Sequence, residues 1–239
     1  MKRTVVKILG CNVDTFTFDQ ALEHIFEIGG QVVTINPEMI SNAQKDKNFS
    51  EIVNNAELII PDGIGVEIGL KILGNNVRRI AGIEFGKALL KKGAEYNKRI
   101  ALVGAKPEII EKTVTNLRKE FKDINLVYTH DGYFDDDEVV KKEIIASNPD
   151  IVLVALGSPK QELFINNLKN DIPGSIFIGL GGSFDVWSGV VKRAPKVYQN
   201  LGLEWLYRTL AEPKRFKRIF PALPLFVLAV LKERFFHAS

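Results

Sequence analysis

The stretch Leu58-Ile59-Ile60-Pro61-Asp62-Gly63 reads as a buried strand that empties into a tight turn, with a helix-like run from Gly65 to Leu73 behind it. Such a turn delivers the Asp62 carboxylate to the C-terminal edge of a sheet. In open α/β sheets that edge is where ligands bind. The pattern recurs. Val32-Val33 runs into Thr34-Ile35-Asn36-Pro37-Glu38, Ile100 to Val103 into Gly104-Ala105-Lys106-Pro107, Ile151 to Ala155 into Gly157 to Glu162, and Ile176 to Ile178 into Gly179 to Ser183. Any one of these is also an ordinary strand-to-helix turn. Together they gather polar and glycine residues at strand ends, as an enzyme site requires.

Strand-like and helix-like segments alternate along most of the chain, which predicts an α/β fold with a Rossmann-like, mostly parallel sheet and helices on both faces. Thr17-Phe18-Asp19-Gln20 has the form of a capping box ahead of an apolar helical stripe, Ala21, Leu22, Ile25 and Phe26. Met39 to Asn55 reads as one or two helices, and Arg78 to Gly82 as a loop feeding a helix that ends near Gly93. From Lys98, strands at 99–103, 126–130, 151–155 and 175–179 alternate with helices at 107–121, 136–147 and 160–168. No G-x-G-x-x-G follows the first of these strands and no P-loop is present, which argues against a dinucleotide or P-loop site.

The 239 residues suffice for one large domain or two small halves. A single cysteine, Cys11, excludes an internal disulfide framework and fits a reducing, cytoplasmic compartment, with Cys11 as a small buried residue. The N-terminal apolar run, Thr4 to Leu9, is too short and interrupted for a signal peptide. Net charge is +3, unevenly spread: residues 186–239 hold 10 basic and 3 acidic side chains. A basic appendage of this kind meets something anionic. Within it Leu201 to Leu210 reads as a helix carrying Trp205 and Tyr207, and the basic stretch 214–218 precedes a 13-residue apolar run, 219–231, that holds Pro221 and Pro224. A spanning helix needs about 20 residues, so the run suits attachment to a membrane surface rather than a crossing. Its apolar character fits lipid better than nucleic acid. The competing reading is a terminal helix packed on the core. Residues 1–195 are thus expected to form an α/β catalytic domain, its nucleotide-binding half at about 98–185, and 196–239 a basic, apolar, helical, membrane-associating appendage.

Asp62 is the candidate general base, because a hydroxyl acceptor must lose its proton as it attacks. Thr34 and Asn36 fall at a neighbouring strand end and offer hydrogen bonds to sugar hydroxyl or acetamido groups. Arg79 supplies a permanent, forked cation suited to a phosphate leaving group. Gln161 and the Gly181-Gly182 turn suit a nucleotide phosphate, Asp185 can accept from a uracil N–H, and Tyr133 can stack on the base. Asp135-Asp136-Asp137 contains a D-x-D of the kind that holds metals, yet it precedes a helix-like run and reads as an acidic first turn. His130-Asp131 has no second histidine or cysteine nearby and makes a poor zinc site. No metal site and no cofactor are expected.

Eight motifs in order carry a resemblance: T-x-N-x-E (Thr34 to Glu38), P-D-G-x-G (Pro61 to Gly65), R-x-A-G (Arg79 to Gly82), H-x-G-Y-F (His130 to Phe134), G-x-P-K-Q-E (Gly157 to Glu162), G-G-S-F-D (Gly181 to Asp185), R-A-P (Arg193 to Pro195) and G-L-E-W-L-Y-R (Gly202 to Arg208). Together they resemble the WecG/TagA/CpsF family of bacterial glycosyltransferases, family 26, over about residues 30–220. The resemblance implies an inverting, metal-independent enzyme that moves a sugar from a UDP-sugar to an undecaprenyl-diphosphate-linked acceptor on the inner face of the cell membrane. In the wall teichoic acid branch it implies UDP-N-acetylmannosamine as donor and the GlcNAc-linked lipid as acceptor. UDP-N-acetylmannosaminuronic acid or UDP-glucose are the alternative donors, and a non-catalytic nucleotide-binding membrane scaffold is the alternative class. By the same resemblance Asp62 is the base, Thr34 and Asn36 lie near the transferred sugar, Arg79 lies near the diphosphate, and Tyr133, Gln161 and Asp185 belong to the nucleotide pocket. Arg208, Arg215 and Arg218 of the appendage would close over the diphosphate. A cleft completed only when its tail docks is open to control by membrane contact, or by a change from homo-oligomer to monomer.

Overall fold

A computed structural model describes residues 3–200, 202, 204, 206–207 and 213–236, with side chains omitted at 200, 213–223 and 236. Strands β1 (Val5–Ile8) and β2 (Cys11–Asp14) form an antiparallel hairpin. The main sheet holds β3 (Gly30–Ile35), β4 (Leu58–Pro61), β5 (Arg99–Gly104), β6 (Asn125–His130), β7 (Ile151–Ala155) and β8 (Ile176–Gly179) in the order β4-β3-β8-β7-β5-β6, every pair parallel. The helices between them are α1 (Phe18–Ile28), α2 (Pro37–Ala43), α3 (Lys47–Asn54), α4 (Ile64–Ile72), α5 (Gly82–Glu95), α6 (Pro107–Glu120), α7 (Asp137–Ser147), α8 (Lys160–Leu168) and α9 (Ser183–Trp187). Among the described residues α10 (Lys196–Asn200) and α11 (Pro213–Phe236) follow. The α/β architecture with helices on both faces is the one expected.

Strands β3, β4, β5, β7 and β8 are apolar at successive positions because both faces of that part of the sheet are covered. Ile100, Leu102, Ile151, Leu153, Ile176 and Ile178 pack with α1, α5 and α6 on one face. Their neighbours Ala101, Val103, Val152, Val154 and Phe177 pack with α7 and α8 on the other. Local signals hold too: Thr17 and Gln20 form the reciprocal capping box at the start of α1. At the β4 edge Asp14, buried, accepts the Ile59 amide at 2.7 Å and pairs with Arg3 at 2.6 Å, which closes an otherwise open strand edge. Cys11 is buried in the hairpin, and its thiol is pushed up to about 11 by burial and then by Glu233.

The C-terminal helix expected of the appendage is present: α11 runs from Pro213 to Phe236 through Pro221 and Pro224. Tertiary packing outweighs the local cost of proline here. Phe226 and Val230 are buried among Ile8, Met39, Val66 and Leu70, and Glu233 accepts the Leu9 amide at 2.9 Å. Leu225 and Leu228 on the same helix are 64% and 61% exposed. The helix therefore packs one stripe on the core and presents another outward. Among the described residues no helix is long and apolar enough to cross a membrane. The helix expected at 201–210 falls largely outside the described residues.

Candidate active site

A cavity of about 470 Å³ opens at the C-terminal ends of β3, β4, β7 and β8. It lies within the size range of small-molecule sites. Backbone pairing assembles its floor. The β3–β4 register places Ile35 opposite Pro61, and the Asp62 amide donates to the Ile35 carbonyl at 2.7 Å, extending the pairing one residue past the strand. The Ile80 amide then donates to the Pro61 carbonyl at 2.8 Å, and the Arg79 amide to Glu67 Oε2 at 2.8 Å, so the loop before α5 is tied to the same edge. Thr34, Asn36, Asp62 and Arg79 consequently line one cavity.

Each side chain has a defined setting. The buried Thr34 hydroxyl donates to the Gly179 carbonyl at 3.3 Å, which leaves its lone pairs to accept. Asn36 caps α2, its Oδ1 accepting from the Met39 amide at 3.0 Å. Gly82 begins α5, and a Cβ there would stand 3.0 Å from Thr34 Cγ2 and 3.4 Å from Asp62 Oδ2. Glycine thus lets the positive end of a 14-residue helix come up beside the carboxylate. Arg79 Nη2 donates to the Gln199 carbonyl, which fastens the segment after β8 across the cavity. Further along, Glu204 lines the cavity and accepts from Arg193 Nε at 3.0 Å, while Arg193 also pairs with Glu84 of α5. Burial opposes the Arg193 charge, and the two carboxylates more than offset it.

The expected nucleotide group divides. Gln161, Gly181 and Gly182 line the cavity, whereas Tyr133 and Asp185 do not. Tyr133 sits in the loop after β6, 70% exposed. Asp185 is half-buried in the first turn of α9, next to Gly182. Arg208 lies outside the described residues, and Arg215 and Arg218 lie on α11 with their backbone alone described. The D-x-D is a helix start: Asp136 caps α7 by accepting the Glu138 amide at 2.8 Å. Among the described residues no group of three His, Cys, Asp or Glu is placed to hold a metal ion.

Of the polar side chains that line the cavity, Glu38, Ser158, Ser183 and Glu204 are not singled out as site residues from the sequence. Glu38 follows Asn36 by two in the first turn of α2, and Ser158 follows the apolar run of β7, so strand-end position was a usable signal for both. Glu204 belongs to the G-L-E-W-L-Y-R motif but has no strand-end signal, because it reaches the cavity through the docking of a segment 142 residues beyond Asp62.

A carboxylate, a guanidinium and a glycine turn at the carboxyl edge of a parallel sheet define an α/β group-transfer enzyme. Residues 6–239 match the model of the glycosyl transferase WecG/TagA/CpsF family. The N-acetylglucosaminyldiphosphoundecaprenol N-acetyl-beta-D-mannosaminyltransferase of Bacillus subtilis (strain 168) is 43% identical over 208 residues, 87% of this chain and 81% of that protein. The protein of the same name from Bacillus spizizenii (strain ATCC 23059 / NRRL B-14472 / W23) is 40% identical over 206 residues, 86% of this chain and 80% of that one. The chain belongs to the WecG/TagA/CpsF family of glycosyl transferases.

Proposed function

We propose that the chain transfers N-acetylmannosamine from UDP-N-acetylmannosamine to GlcNAc-diphospho-undecaprenol, with inversion, at the inner face of the membrane in wall teichoic acid linkage-unit synthesis. The observation that carries this is the convergence of Asp62, Arg79, Thr34 and Asn36 on one cavity in a chain whose relatives bear that activity in their names. Asp62 takes the proton of the acceptor hydroxyl. The oxygen bonds to the sugar C1 as the bond from C1 to the diphosphate oxygen breaks, and that electron pair leaves with UDP. Arg79 faces the charge that develops on the diphosphate, its fork retaining donors beyond the one given to Gln199. Gln161, Gly181 and Gly182 hold the nucleotide end, with Asp185 and Tyr133 joining from the rim.

A uronate in place of the uncharged sugar would compete with the diphosphate for the Arg79 guanidinium, which lines the cavity. The test is incubation with UDP-N-acetylmannosamine, its uronic acid counterpart or UDP-glucose and a short-chain prenyl-diphosphate-GlcNAc, followed by mass spectrometry. Addition of one N-acetylhexosamine from the first donor is expected. Transfer from either other donor instead would overturn the assignment.

Activity is expected to survive EDTA within about twofold, because the cation facing the leaving group is arginine and Asp136 is engaged in capping α7. Loss of transfer on chelation, restored by manganese or magnesium, would give Asp135 and Asp137 a ligand role.

A further inference from the structure

Glu162 stands one residue beyond the cavity wall and takes no part in the chemistry above. It is 2% exposed, on the first turn of α8. Its Oε1 accepts from Gln161 Nε2 at 2.8 Å, and its Oε2 has no partner among the described residues. Burial pushes its carboxyl up, while the bond from the Gln161 side chain pulls the other way. A buried carboxylate with an unpartnered oxygen is costly, and an apolar side chain of that size would pack more cheaply. Something other than packing is served by it.

The geometry shows what. A glutamine amide has a donor end and an acceptor end, and only its surroundings decide which way it faces. Gln161, 3% exposed, turns Oε1 toward the Gly181 amide at 2.9 Å. With its NH2 end held by Glu162, the carbonyl must face Gly181. A flipped amide would set N–H against N–H there and carbonyl against carboxylate at the other end. Gly179 brings β8 flush against this amide, since a Cβ there would lie 2.5 Å from Gln161 Nε2. Gly181 itself lines the cavity, as does Ser158. Two walls, the turn after β7 and the turn after β8, are thus joined at one carboxylate.

We infer that Glu162 is a positioning residue for the nucleotide end of the donor: it fixes the Gln161 amide, and through it the Gly181 backbone, in the orientation that receives UDP. The inference rests on the UDP-sugar reading above.

Calorimetric titration with UDP tests it on the full chain, with thermal unfolding followed in parallel. Glu162→Asp keeps the charge but withdraws the carboxylate by one carbon–carbon bond, about 1.5 Å, beyond hydrogen-bond reach of Gln161. Glu162→Met fills the space without an acceptor. Both are expected to weaken UDP binding about tenfold. Glu162→Gln presents a carbonyl where Oε1 stood and is expected to stay within about threefold of the wild-type Kd. The order of the three is the signature, because a merely structural role would shift unfolding temperature and leave the Kd of the folded protein alone. Unchanged UDP binding by both Glu162→Asp and Glu162→Met overturns the inference. So does an equal loss in Glu162→Gln, which would make charge rather than orientation the requirement. A wild-type chain that does not bind UDP overturns the donor reading and the inference with it.

Discussion

Asp62→Asn is expected to lower turnover by about 10²–10⁴ while leaving UDP affinity within a few-fold of wild type, because a general base acts mainly in the transition state. The substitution is isosteric and spares the backbone bond from the Asp62 amide to the Ile35 carbonyl, so the strand end keeps its shape. What it removes is the site that accepts the proton and the negative charge that sits beside the start of α5. Thr34, held to the Gly179 carbonyl, is poorly placed to substitute as a base, since a hydroxyl is a weak proton acceptor near neutral pH. The measurement is initial-rate transfer to the soluble prenyl-diphosphate acceptor with UDP titration on the same preparation. Activity within a few-fold of wild type would remove Asp62 from the role of base and shift attention to Glu38, the neighbouring carboxylate in the same cavity.

The fold was legible because most of its sheet is buried on both faces, so β3, β4, β5, β7 and β8 print as largely apolar runs that lead into glycine, proline or asparagine within a few residues. Strand β7, Ile151 to Ala155, is the clearest instance, with every residue buried. The same rule exposed half of the site, since Thr34, Asn36, Asp62 and Gln161 all follow such runs within a few residues. Non-local docking was illegible. Glu204 stands in the G-L-E-W-L-Y-R motif, but the motif does not say that it reaches a cavity floored by residues 34 and 62, where Arg193 bonds to it and Arg79 bonds to the Gln199 carbonyl. Gln161 was read as a nucleotide ligand from its place at a strand end. Its buried bonds to Gly181 and Glu162, which depend on how closely β8 approaches α8, could not be read from spacing. Helix α11 runs through two prolines because the seats of Phe226 and Val230 in the core outweigh their local cost.

Reversing two charges at the start of α11, Arg215→Glu with Arg218→Glu, is expected to weaken binding to vesicles rich in anionic phospholipid on the order of a hundredfold at low salt. Each Lys or Arg near such a surface contributes about 1 kcal/mol, and reversal adds repulsion of similar size to the loss, for about 2–4 kcal/mol over the pair. The helix should keep its place, because its anchoring side chains, Phe226 and Val230, lie two or more turns further on. The effect should shrink as salt is raised and the charges are screened. A second variant, Leu225→Glu with Leu228→Glu, replaces exposed apolar residues and should weaken the salt-resistant part of binding instead. Transfer to a soluble short-chain acceptor separates the two uses of the basic stretch. If the arginines face lipid alone, the soluble reaction stays within a few-fold of wild type. A fall of tenfold or more there would mean that one of them reaches the diphosphate. Vesicle binding within twofold of wild type for both double variants would show that the outward stripe of α11 meets no membrane, and the peripheral location proposed for the chain would fall.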